Sequence, residues 1–143
     1  MMRLAVQDGY FLNPITHKVD VSVEGVITDS GTLSRNFYRG NRLECWSLDS
    51  QYPHADVPDT TQQSSRCIDC PQNIRGSGMS NYKPCKFFTT INVILNNTNT
   101  VCELRIGGAS LFSRTVNKLN LYKYIEYLER NGESIHSVLT KIY

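Results

Sequence analysis

The spacing of the cysteines constrains this chain more than any other feature. Four of the five fall as C-x21-C-x2-C-x14-C, at Cys45, Cys67, Cys70 and Cys85. Cys67-Ile68-Asp69-Cys70 is a C-x-x-C, and two thiolates at that spacing can grip one tetrahedral ion from a tight turn. Pro71 follows directly and fixes the exit. Cys85 lies beyond a loop carrying Gly76 and Gly78, which can fold back, and Cys45 lies upstream in LECWS. The expectation is a structural zinc site, because four protein ligands leave no position open for a catalytic water. His54, in the polar loop before Cys67, is the alternative to Cys45 as fourth ligand. Cys102 sits mid-strand beside Val101 and Leu104 and reads as a buried structural thiol.

Two other uses of cysteine fit less well. An odd number leaves one thiol over in any disulfide framework. A redox C-x-x-C opens a helix in a βαβ context, which Pro71 and the polar loop after it do not resemble. The N-terminus MMRLAVQDGYF lacks the apolar segment of a secretory signal, and no apolar run is long enough to cross a bilayer. A cytoplasmic protein with no membrane partner is expected, in a compartment where disulfides are uncommon.

The 143 residues, 40% hydrophobic and 20% charged, suit one domain with one core. Lys18–Thr28 alternates as a strand, with Val19, Val21 and Val23 on one face, and Gly25 marks a bulge or bend. DSGT at 29–32 is a turn, after which Leu33–Tyr38 can pair back as a hairpin partner. Phe87–Leu95 and Thr100–Ile106 form a second hairpin around NNTNT. Residues 118–131 carry Leu121, Ile125 and Leu128 at helical spacing, with Asn117 or Asn120 as N-cap and Gly132 as C′ residue. Residues 134–143 form a last strand. The fold class is α+β and β-rich: an OB-like small barrel with a zinc-binding loop insertion and a C-terminal helix. The domain spans 1–143, and the insertion about 39–86 is so long and irregular that something must pin it.

LECWSLDSQYP, CIDCPQNIRGSG and KPC together resemble a family of small phage-encoded zinc-loop proteins. Those carry a Cys-x-Ser-x-Asp segment, a Cys-x-x-Cys-Pro-x-Asn-x-x-Gly-Ser loop, and a basic residue close to a last Cys. The C-terminal run is similar too: Ala109-Ser110, Tyr124, Leu128, Gly132, then Val138, Thr140 and Ile142. The resemblance covers about residues 39–143 and departs from the family in stopping at Tyr143, where others continue. It implies a phage replication or single-stranded-DNA-binding protein. Phage helix-destabilising proteins likewise combine an OB-fold with a zinc-bearing insertion and use a Cys3His ligand set, which keeps His54 in view.

A net charge of +2 announces no global basic field, but RNFYRGNR at 35–42 holds three arginines and no acid. Single-strand binders combine cations with aromatic stacking platforms. The candidates are Arg35, Phe37, Tyr38, Arg39, Arg42, Trp46, Arg75, Lys83 and Lys86, and on an extended strand Arg35, Phe37 and Arg39 share one face. Arg66, Arg75, Lys83 and Lys86 are also placed to balance a negative tetrathiolate. The expected function is non-enzymatic binding of single-stranded DNA in replication or recombination. Neither G-x-x-x-x-G-K-[ST] nor G-x-G-x-x-G occurs. One alternative is a zinc-stabilised adaptor for a host polymerase or phage replisome protein. The other is a metal-dependent nuclease using Asp49, Asp56 and Asp59.

Overall fold

Strand β8 (Cys85–Leu95) alternates buried and half-buried side chains over its second half, with Thr89, Ile91, Val93 and Leu95 inward. That period-2 pattern makes it the organising strand. In this computed structural model the described residues are all but Met1, Asp8, Gly9, Pro14, Ile15, Val21, Asn97 and 113–119. Before β8 come β1 (Met2–Arg3), β2 (Ala5–Gln7), β3 (Tyr10–Leu12), β4 (Val19–Asp20), β5 (Val23–Ser30), β6 (Ser34–Arg39) and β7 (Arg42–Ser47). After it come β9 (Val101–Gly107), helices α1 (Gly108–Phe112) and α2 (Leu121–Arg130), and β10 (Thr140–Ile142). The chain divides into two compact units, Met1–Gly31 with Thr90–Tyr143, and Thr32–Thr89. The second unit contains β6, β7 and the first half of β8.

The first unit is β-rich with short helices, as the α+β expectation has it. Its main sheet runs β1-β9-β8-β5-β10, and β2-β3-β4 form a separate antiparallel sheet. The main sheet is open among the described residues, with β1 and β10 at its ends, so the pairing is not that of a closed barrel. Ile27, Ile91, Val93, Leu95, Cys102 and Leu104 form the core with Leu128 from α2 and Ile135. Cys102 is fully buried there, and burial pushes its thiol pKa up. At Gly25 the strands approach so closely that a Cβ would run into the Ile94 carbonyl oxygen and lie 2.5 Å from Val93 Cγ1. Close backbone approach, with no bulge at Gly25 itself, explains the glycine; the register shift in this pair comes later, between Ile27 and Asp29.

The helix ends behave as their residues dictate. Asn120 Oδ1 accepts from the Lys123 backbone N–H at 2.9 Å, a side-chain N-cap. Gly132 has φ +76°, and the N–H groups of Gly132 and Glu133 donate to the carbonyls of Glu129 and Leu128, a Schellman ending. Asn117, the other cap candidate, lies outside the described residues.

Three strand expectations change. Lys18–Thr28 is not one strand: β4 pairs with β3, and β5 pairs with β8 and β10. Val21, between them, lies outside the described residues. Residues 33–38 do not pair back on 18–28; β6 is flanked by β7 and β8 instead. The last segment is a 3-10 turn at Ile135–Ser137, capped reciprocally by Ser134 and Ser137, followed by the short β10.

Candidate metal centre and nucleic-acid face

In the unit Thr32–Thr89, β6 lies between β7 and the first half of β8. Phe37 is registered opposite Cys45 on one side and Cys85 on the other. Directly paired residues project to the same face of a sheet, so both thiols and the Phe37 ring share a face. The register shifts next to this point, where Tyr38 pairs with Leu43, leaving Glu44 as the extra residue of a bulge.

The other two cysteines come from the loop. Residues 48–84 bury only Val57 and Cys70, so apolar packing alone does little to hold them. Hydrogen bonds tie the loop at points. The Cys67 N–H donates to the Gln51 carbonyl at 2.9 Å, and the Cys70 N–H to the Cys67 carbonyl at 3.2 Å. Cys67–Asp69 and Pro71–Asn73 form two successive 3-10 turns, the tight geometry a C-x-x-C needs to present both sulfurs one way.

Cys45, Cys67, Cys70 and Cys85 all line one cavity of about 20 Å³, room for a single water-sized sphere. Arg35, Phe37, Ser47 and Asn73 line it as well, and Trp46 borders it. All five cysteines are free thiols. Burial pushes the Cys85 thiol up to about 12, partly offset by the Arg35 charge and reinforced by the neighbouring cysteines. Cys67 is raised too, again chiefly by burial, with Ser47 and Arg35 pulling the other way. Among the described residues no three ligating side chains stand assembled to hold an ion as placed. The donor set nevertheless fits a structural zinc: four sulfurs, of the right type and spacing, on one small cavity.

His54 does not line that cavity. Its ring stacks on Trp46 with centroids 6.0 Å apart, and its Nδ1 accepts from the Asp56 N–H at 3.0 Å. Asp49 caps a turn through the N–H groups of Gln51 and Tyr52. Of the three candidate acids, the Asp49 carboxylate is taken up in the turn, while the Asp56 and Asp59 side chains are exposed.

The basic and aromatic candidates separate into two groups. Phe37 is 5% exposed and offers no face to a base. Arg35 is turned inward as well: its Nη1 donates to Asn73 Oδ1 at 2.7 Å, and its Cζ lies 4.0 Å from the Phe87 ring centroid. Period 2 puts Arg35 and Phe37 on a common face, but that face is the cavity wall. Arg39 lies over Phe37 at 5.5 Å and pairs with Glu44 at 2.9 Å, and Lys83 lies 5.8 Å from the Phe87 centroid. Arg66 pairs with Asp69. Tyr38, Arg42, Arg75 and Lys86 are exposed. Lys86 pairs in register with Asn36, and Tyr38 is two residues along the same strand, so Tyr38 and Lys86 point away from the cysteine face. Tyr82, at 67% exposure, adds a second exposed aromatic. Asn73, the Asn of the Cys-x-x-Cys-Pro-x-Asn loop, stands three residues after Cys70 and lines the cavity, a role its place in that motif does not by itself assign.

No family model, curated protein or solved structure matches the chain. No helix among the described residues is long and apolar enough to cross a membrane.

Proposed function

We propose that this chain is a non-enzymatic, phage-encoded zinc protein that binds single-stranded nucleic acid, DNA in the first instance, during replication or recombination in the host cytoplasm. One observation carries the reading. The four spaced cysteines converge on one cavity in a unit whose outer surface carries Tyr38, Arg42, Arg75, Tyr82 and Lys86. Zinc bound there would cross-link β7, β8 and the knuckle loop, replacing the apolar core that residues 48–84 lack. Cys45, Cys67, Cys70 and Cys85 would hold it. Exposed cations then meet phosphates and exposed tyrosines stack on bases. An OB-like barrel is itself partly open, and the reading requires only exposed cations and aromatics on this unit, as Tyr38, Arg42, Arg75, Tyr82 and Lys86 are.

Titrating the full chain with oligo-dT while following Trp46 fluorescence tests it. Saturable binding that weakens steeply with salt is expected; no binding at low ionic strength overturns it.

The adaptor reading also draws on a specific observation. Ile68 and Ile74 on the cysteine loop are 71% and 60% exposed, and Met79 is fully so, and large apolar side chains left to solvent on one loop suit a protein partner. A phage or host replication protein retained in a pull-down after nuclease treatment, with no oligonucleotide binding, would favour it.

A further inference from the structure

We propose that Arg35 is a positioning residue of the metal centre: its Nε–H donates a hydrogen bond to a metal-bound cysteine sulfur, and its charge offsets the negative cluster. This inference rests on the zinc reading above.

Among the described residues, Arg35 Nε is the buried side-chain nitrogen or oxygen without a hydrogen-bond partner. A buried donor in that condition calls for an acceptor. The side-chain oxygens lining the cavity each have a partner other than Arg35 Nε. Asn73 Oδ1 receives Arg35 Nη1, Ser47 Oγ donates to Asp49, and Gln63 Oε1 receives Gln72. Ser64 Oγ receives the Arg66 N–H. The four cysteine sulfurs line the same cavity as Arg35, and a metal-bound thiolate is a far better acceptor than a thiol.

The charge argument is independent. A zinc ion with four thiolates carries a net charge of −2, and a buried charge must be matched. Of the cations expected to match it, Lys86 points to the other face, Arg66 is paired with Asp69, and neither Arg75 nor Lys83 lines the cavity. Arg35 is the cation of the cavity lining. It is held from two sides, by Asn73 from the turn that follows Cys70 and by the Phe87 ring. A donor fixed this way gives directional support that a mobile lysine would not. The proton stays on Arg35; nothing is transferred.

The test uses the full chain loaded with Zn2+ or Co2+, as wild type, R35M and R35K. Zinc affinity is measured by competition with a colorimetric chelator. The thiolate-to-Co2+ charge-transfer band reports electron density on sulfur. R35M is expected to weaken zinc binding about 10–100-fold, the range for supporting residues around metal ligands, and to move the band to lower energy. R35K keeps a charge but has no Nε donor; it should recover part of the affinity and leave the band shifted. Wild-type affinity and band in R35M overturn the proposal and make Arg35 a packing residue. Where R35M does not fold, an unshifted band in R35K overturns it equally. A wild-type chain that binds neither metal overturns the zinc reading itself, and this inference with it.

Discussion

The Ser47 hydroxyl donates to Asp49 Oδ1 at 3.0 Å, and the same oxygen receives the backbone N–H groups of Gln51 and Tyr52 at 2.8 and 3.0 Å. One carboxylate thus closes the turn that leads from β7 into the loop, and the Gln51 carbonyl in turn receives the Cys67 N–H. Those N–H donors, Tyr52 first, hold the Asp49 pKa below its usual 3.8. A depressed carboxylate stabilises the fold above the unfolded pKa and loses that contribution as pH falls through the folded one. Asp49→Ala should therefore melt below wild type at neutral pH. The gap should narrow as pH drops below 3.8, which thermal melts across pH 2–7 would show.

Metal content should follow the cavity. One zinc per chain is expected by elemental analysis, with Cys67→Ser and Cys70→Ser losing it. Removing zinc with a chelator should expose residues 48–84 to protease. Cys102→Ser should keep its zinc and lose about 1–3 kcal/mol by chemical denaturation, because a hydroxyl would be buried in an apolar core.

Binding and stability should separate between the two faces of the β6–β8 pair. Lys86→Ala should weaken oligo-dT binding and flatten the salt dependence by about 0.7 in the log–log slope, the loss of one single-strand phosphate contact. Phe37→Ala should instead cost about 3–5 kcal/mol of stability, as for other buried phenylalanines. Fluorescence titrations and urea melts on the same two variants distinguish the roles.

Gly25→Ala should destabilise by about 1–3 kcal/mol, since the Ile94 carbonyl that the new methyl meets is backbone and cannot rotate aside. A urea melt monitoring the first unit would show the shift.

What the sequence revealed depended on range. Cys67 and Cys70 declare a knuckle because the turn between them is local, and the caps of α2 at Asn120 and Gly132 are equally local. The partner of β6 was not legible. The DSGT turn suggested a hairpin with 18–28, but strand pairing is decided by which distant faces bury together, and β8 took both β5 and β6. β7 was missed inside the irregular stretch because its alternation is interrupted at Glu44. Arg35 and Phe37 were rightly put on one face by period 2, but periodicity cannot say whether a face meets water or a cavity. Hence two supposed base contacts became cavity wall.

Phe37 stands between Cys45 and Cys85 on adjacent strands, and a one-residue slip of either strand would carry its thiol to the opposite side of the sheet. An ion requiring both sulfurs can be captured only by the correct alignment. Metal capture would then act as a proofreading step on strand pairing, and a chain made under zinc starvation would accumulate slipped, edge-exposed forms prone to associate with one another.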